Sequence, residues 1–75
     1  MNVKKVGTKT FNLKNGEWIE KGLDSKDKPD EKIVFLSSEY FELIKQYPEL
    51  NKILSLGEEV LFSWSGKTYR IYLDK

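Results

Sequence analysis

Phe11-Asn12-Leu13-Lys14-Asn15-Gly16-Glu17-Trp18-Ile19-Glu20 is the stretch that decides the fold. Asn-Gly is the preferred centre of a two-residue type I′ turn, because both central positions need φ > 0. A turn at Asn15-Gly16 sets Lys14 opposite Glu17, Leu13 opposite Trp18 and Asn12 opposite Ile19. Phe11, Leu13 and Trp18 then share one face, and Lys14 pairs with Glu17 on the other. The pattern predicts a hairpin over residues 8–14 and 17–22.

Downstream, residues 24–32 (Asp-Ser-Lys-Asp-Lys-Pro-Asp-Glu-Lys) are almost entirely charged and carry a proline, which predicts a solvated loop. Ile33-Val34-Phe35-Leu36 follows as a β-branched and aromatic run, consistent with a buried strand. Ser37 and Ser38 are suitable N-caps, and Glu39 and Glu42 place acids near a helix start. Tyr40, Leu43, Ile44 and Tyr47 recur at three- and four-residue spacing and form one apolar stripe. Pro48 stops the helix at Tyr47 and opens a second one carrying Leu50, Ile53 and Leu54, with Gly57 as a left-handed cap. A second hairpin closes the chain: Val60, Phe62 and Trp64 alternate inward, Tyr69, Ile71 and Leu73 answer them, and Ser65-Gly66-Lys67 makes the turn. The expected architecture is α+β. It is a small, mostly antiparallel sheet, two hairpins plus a central strand, with a helix pair inserted in the order β-β-β-α-α-β-β.

The chain is 75 residues long and is read as a single small domain, 1–75. It contains neither cysteine nor histidine, which removes disulfides, thiolate metal sites, the commonest metal ligand and the usual general base. Stability must come from packing, and ten aromatic residues supply the bulk. The net charge of +1 gives no strong field toward nucleic acid or anionic lipid. Lys4, Lys5, Lys9 and Lys14 nonetheless fall in an acid-free N-terminal strip, which is either a polyanion contact or an ordinary solvated edge strand. The longest uninterrupted apolar run, Ile33–Leu36, is far short of the ~20 residues of a membrane span. Gly7-Thr8-Lys9-Thr10 stands where a signal peptide needs an apolar stretch, so the compartment is either the cytosol or that of an exported protein already relieved of its leader.

Catalytic motifs fail on context. Ser65-Gly66-Lys67-Thr68 carries the end of a phosphate loop, but Leu61 stands where the earlier glycine belongs, and the turn opens a strand rather than a helix. Ser25-x-x-Lys28 lies in the charged loop, not at a buried helix start. Glu39 and Glu42 share a helix face, where the helix dipole accounts for them. The loop acids Asp24, Asp27, Asp30 and Glu31 lack the ligand spacing of a calcium loop. No catalytic, cofactor or metal residue is assigned. A binding surface is expected instead from the basic residues Lys4, Lys5, Lys9 and Arg70 with the aromatics Trp64 and Tyr72, the two rings least committed to a core.

Taken in order, several segments resemble a known family. They are Val6-Gly7-x-Lys9-x-Phe11-x-Leu13-x-Asn15-Gly16-x-Trp18-Ile19-Glu20, Ser38-x-Tyr40-Phe41-x-Leu43, Pro48-Glu49-Leu50, Leu54-x-Leu56-Gly57-Glu58-x-Val60 and Gly66-x-x-Tyr69-x-Ile71. Together they look like the small C-terminal region of bacterial proteins that carry a VIT domain and a von Willebrand factor type A domain. The resemblance spans nearly all of residues 6–71, with Glu20 standing where that pattern often has aspartate. It implies no activity and transfers no metal ligand, since the adhesion-site metal of those proteins belongs to a domain this sequence does not contain. It implies a non-catalytic accessory or interaction domain of a bacterial cell-envelope protein, with a protein as partner. The alternative is a weak polyanion or nucleic-acid binding module.

Overall fold

The computed structural model describes residues 2–74. The elements are β1 (Val3–Val6), β2 (Lys9–Lys14), β3 (Glu17–Glu20), β4 (Glu31–Val34), α1 (Ser38–Gln46), α2 (Leu50–Leu54), β5 (Val60–Trp64) and β6 (Lys67–Tyr72). The Asn15-Gly16 hairpin forms in the expected register, with Leu13 across from Trp18 and Lys14 across from Glu17. Both turn residues take positive φ, 50° and 82°. Ser65 and Gly66 do the same between β5 and β6, at 52° and 81°, so the Gly-Lys-Thr stretch is a hairpin turn.

All six strands join one sheet in the order β1-β2-β3-β5-β6-β4. The α+β class and the two hairpins match the sequence reading, but the sheet is mixed: β3 pairs with β5 and β4 with β6 in parallel. The element order also gains a strand. Val3–Val6 pairs with β2, so Lys4 and Lys5 of the basic N-terminal strip lie on an edge strand, a place where lysines discourage further pairing, while Lys9 and Lys14 lie on β2 beside it.

The strand expected at the centre lies at the opposite edge and begins earlier, at Glu31. Asp30 anchors it: its amide donates to the Thr68 carbonyl at 2.8 Å, and its carboxylate accepts from the Thr68 amide at 2.7 Å. Only Ile33 of this strand is buried. Leu36 is not part of it; it sits in a turn at φ 64° with more than half its surface exposed. A continuous apolar run suggested burial on both faces, whereas the edge position needs a single inward side chain.

Both helices pack on one face of the sheet. Phe11, Trp18, Val60, Phe62, Tyr69, Ile71 and Ile33 meet Tyr40 and Leu43 of α1 and Leu50, Ile53 and Leu54 of α2. Gly57 does not cap α2, which ends at Leu54 with Ser55 as its C-cap, and it has no positive φ. Its role is close approach: a Cβ there would lie 3.0 Å from Cδ1 of the Trp18 indole. Among the described residues, no helix is long and apolar enough to cross a membrane.

The other face carries a smaller buried pair, Ile19 and Leu61. Glu17 of β3 and Arg70 of β6 are bridged at 3.1 Å, and β5 lies between those two strands. The bridge therefore passes over Leu61, which is fully buried. Arg70 also donates to the Ser25 carbonyl, tying down the 24–30 loop.

The weakest join is β3 to β5, which consists of two ladder pairs, Trp18–Val60 and Ile19–Leu61. Where β3 leaves the sheet, the Glu20 carboxylate takes the place of a strand carbonyl and accepts the Ser63 amide at 2.8 Å. Lys9 of β2 then bonds both Glu20 oxygens at 3.1 Å and the Ser63 hydroxyl at 3.2 Å. Replacing Glu20 by Ala removes the acceptor of the Ser63 amide and the counter-ion of Lys9 together. We expect a loss of about 2 kcal/mol in urea unfolding, with Glu20→Gln intermediate because it keeps an acceptor but not the charge. Gly57→Ala should cost about 1–2 kcal/mol, since the indole it would crowd is fixed in the core.

Candidate functional site

The turn from β4 into α1 carries the largest exposed apolar side chains of the described residues. Leu36 is 55% exposed and Phe41 54%. Local chemistry explains their positions. Ser37 is the N-cap of α1, its Oγ accepting from the Tyr40 amide at 3.2 Å. Leu36 and Phe41 then occupy the positions before the cap and four after it, the spacing of a hydrophobic staple. Phe41 lies off the Tyr40–Leu43–Ile44–Tyr47 stripe and points away from the core. Its ring meets Tyr40 edge-on at 5.3 Å, and Tyr40 in turn meets Phe35 at 5.4 Å. The result is an aromatic ladder running from a half-buried Phe35 through a buried Tyr40 to an exposed Phe41.

Leu36 adopts a left-handed backbone, which costs a branched L-residue about 1–2 kcal/mol. Glycine is the ordinary solution at such a position. Sequence reasoning missed this site by extending the preceding strand through Leu36. The signal that was present is the apolar pair flanking Ser37 at staple spacing.

The six residues expected to form a binding surface do not form one patch, although Lys9 and Trp64 line the same pocket beside α2. Lys9 is held by Glu20, and Arg70 by Glu17. Lys4 lies over the Trp18 ring at 5.1 Å, and Lys5 stands exposed on the same edge strand. Trp64 is half-buried on the helix-covered face, edge-on to Tyr47 at 6.1 Å. Tyr72 lies on the other face, with the Lys32 ammonium 5.6 Å from its ring. In the 24–30 loop the Asp24 and Asp27 carboxylates are engaged locally, accepting from the amides of Lys26 and Asp24 at 2.9 Å.

A groove of about 320 Å³ runs along the other flank of α1, between that helix and the β4–β6 side of the sheet. Glu39 and Glu42 line it from the helix, Glu31 and Lys67 from the strands, with Tyr47 and Tyr69 between. Lys67 is 3.8 Å from Glu31, and both side chains are about half exposed, so their attraction is weak.

No family model matches the chain, nor does any curated protein or solved structure.

The Tyr40 hydroxyl sits on a buried ring. Burial lifts its pKa above the usual value, since the phenolate is costly away from water. The folded state therefore holds this proton more tightly than the unfolded chain does. The associated stability is complete below about pH 10 and is lost as the pH rises beyond it. Urea midpoints measured from about pH 9 to about pH 11 should fall, and Tyr40→Phe should flatten the decline.

Proposed function

We propose that this chain is a non-catalytic accessory domain of a bacterial cell-envelope protein, and that it binds a protein partner through the Leu36–Phe41 patch. The partner is a neighbouring domain of a larger chain or another envelope protein. One observation carries the reading: two large apolar side chains are left more than half exposed, and one of them is held on a backbone that glycine would adopt without strain. Backbone strain that persists at a surface position is a reason to look for function there. The envelope assignment is supported by the resemblance to the C-terminal region of VIT and von Willebrand factor A proteins.

The alternative, a polyanion binder, has less to build on. Of its four cations, Lys9 and Arg70 already neutralise carboxylates. Lys4 and Lys5 remain on one edge strand, and two cations make a weak electrostatic footprint.

The test uses the isotopically labelled domain titrated with the domains that flank it in its reading frame and with envelope extracts fractionated to single proteins. Chemical-shift changes should centre on residues 35–41. Phe41→Ser should weaken binding by about 10-fold or more, the scale of a central aromatic anchor. Leu36→Gly removes a side chain while relieving about 1 kcal/mol of left-handed strain, so it should lower affinity and hold stability. Shifts confined to other surfaces, or affinity indifferent to both substitutions, would discard the patch.

A further inference from the structure

We propose that Asn15 is a site of spontaneous deamidation, with the Gly16 amide nitrogen as the nucleophile and the Glu59 carboxylate as its base. The reaction needs no partner beyond water. The Gly16 nitrogen attacks Cγ of Asn15, and a C–N bond forms. The bond from Cγ to Nδ2 breaks, and the side-chain nitrogen leaves as ammonia with the proton that Gly16 gave up. Water then opens the cyclic imide at one carbonyl or the other, leaving aspartate or isoaspartate at position 15.

The chain has asparagine at positions 2, 12, 15 and 51, and the fold separates them by the amide that follows each. After Asn12, the Leu13 amide donates to the Asn2 carbonyl at 2.9 Å; after Asn51, the Lys52 amide donates to the Glu49 carbonyl at 3.4 Å. An amide held in such a bond is not free to turn onto the side chain before it. Asn2 is followed by Val3, whose branched β-carbon crowds the approach. Asn15 is followed by glycine, which has no side chain to stand in the way. Among the described residues the Gly16 amide donates no hydrogen bond. Both residues are exposed, and the ladder ends at the Lys14–Glu17 pair, so ring closure asks movement of the turn and not of the sheet.

A carboxylate stands beside this free amide. Oε2 of Glu59 lies 4.0 Å from where a Cβ on Gly16 would be. The Glu59 backbone is fixed there, its carbonyl accepting the Trp18 amide at 2.9 Å. A base so placed reaches the neighbouring N–H directly or through one water. The two products differ in effect. Aspartate keeps the backbone and adds a charge that cancels the formal +1 of the chain. Isoaspartate adds a carbon to the main chain of a two-residue turn whose geometry sets the register of β2 and β3. Trp18, which joins β3 to β5, stands two residues past that turn. Neither step involves the Leu36–Phe41 patch.

The test holds the full chain in neutral buffer at physiological temperature and follows each asparagine by peptide mass spectrometry. Isoaspartate is read by methyltransferase labelling, and a free peptide spanning Leu13–Trp18 is the reference. Asn15 should turn to acid while Asn2, Asn12 and Asn51 stay amides. Glu59→Gln keeps the backbone bond to Trp18 and should slow the conversion roughly tenfold, less than a positioned base supplies in an enzyme. The isoaspartate form, separated by chromatography, should unfold at lower urea than the intact chain. Asn15→Asp, which has the charge on an ordinary backbone, should stay close to the intact chain. An Asn15 still in its amide form after the free peptide has converted, or equal conversion at Asn12 or Asn51, overturns the proposal. Indifference to Glu59→Gln overturns the assignment of the base.

Discussion

Two ladder pairs between β3 and β5 hold this protein together. On one side of that seam lies the meander β1-β2-β3, built from local hairpins; on the other lies β5-β6-β4. Both helices come from the connection between β3 and β5, so they can cover the sheet only once those two strands meet. A parallel join needs a long crossover and gains little from each pair, so two pairs alone make a poor weld. The molecule reinforces the seam with a backbone bond and with side chains. Trp18 donates its amide to the Glu59 carbonyl at 2.9 Å, Glu20 accepts the Ser63 amide beyond the end of the ladder, and Glu17 reaches over Leu61 to Arg70.

This reinforcement has consequences for what the surface can do. A charge taken largely out of water is costly unless it is paired and hydrogen-bonded. Lys9 and Arg70 are each about one-fifth exposed and directly bonded to a carboxylate, so they serve the fold. Charges that look free in the sequence are thus removed from the inventory available to a ligand. The side chains left over gather around α1. Its N-terminal turn presents Leu36 and Phe41, and its other flank presents Glu39 and Glu42 to the groove with Tyr69 at its floor. One helix separates an apolar patch from an acidic groove, and both are assembled on a rigid cap and a packed stripe rather than on a loose loop.

Much of the fold was legible because its signals are local. Asn15-Gly16 specifies a turn geometry that few other dipeptides allow, and the register of Phe11, Leu13 and Trp18 follows by counting. The Tyr40–Leu43–Ile44–Tyr47 stripe, the Ser37 cap and the Ser65-Gly66 turn are likewise decided within a few residues. The errors fell where the partner is distant. Ile33–Leu36 read as a central strand because four apolar residues in a row say nothing of how many neighbours the strand has. Gly57 read as a helix cap because the indole it clears, that of Trp18, lies 39 positions earlier in the sequence. Trp64 and Tyr72 look alike in the sequence as rings outside the core, though the pleat sends them to opposite faces.

The amino-acid sequence by itself determined the elements, the turns, the composition of the core and the absence of cysteine and histidine chemistry, since each depends on residue type and near-neighbour spacing. Tertiary structure alone decided which strands stand at the edges, which join is parallel, and which lysine and arginine are consumed by carboxylates. It alone left Leu36 and Phe41 uncovered and set Glu31, Glu39 and Glu42 around one groove. Those outcomes rest on contacts between residues tens of positions apart, and the energy of such a contact is written in neither partner until the chain brings the two together.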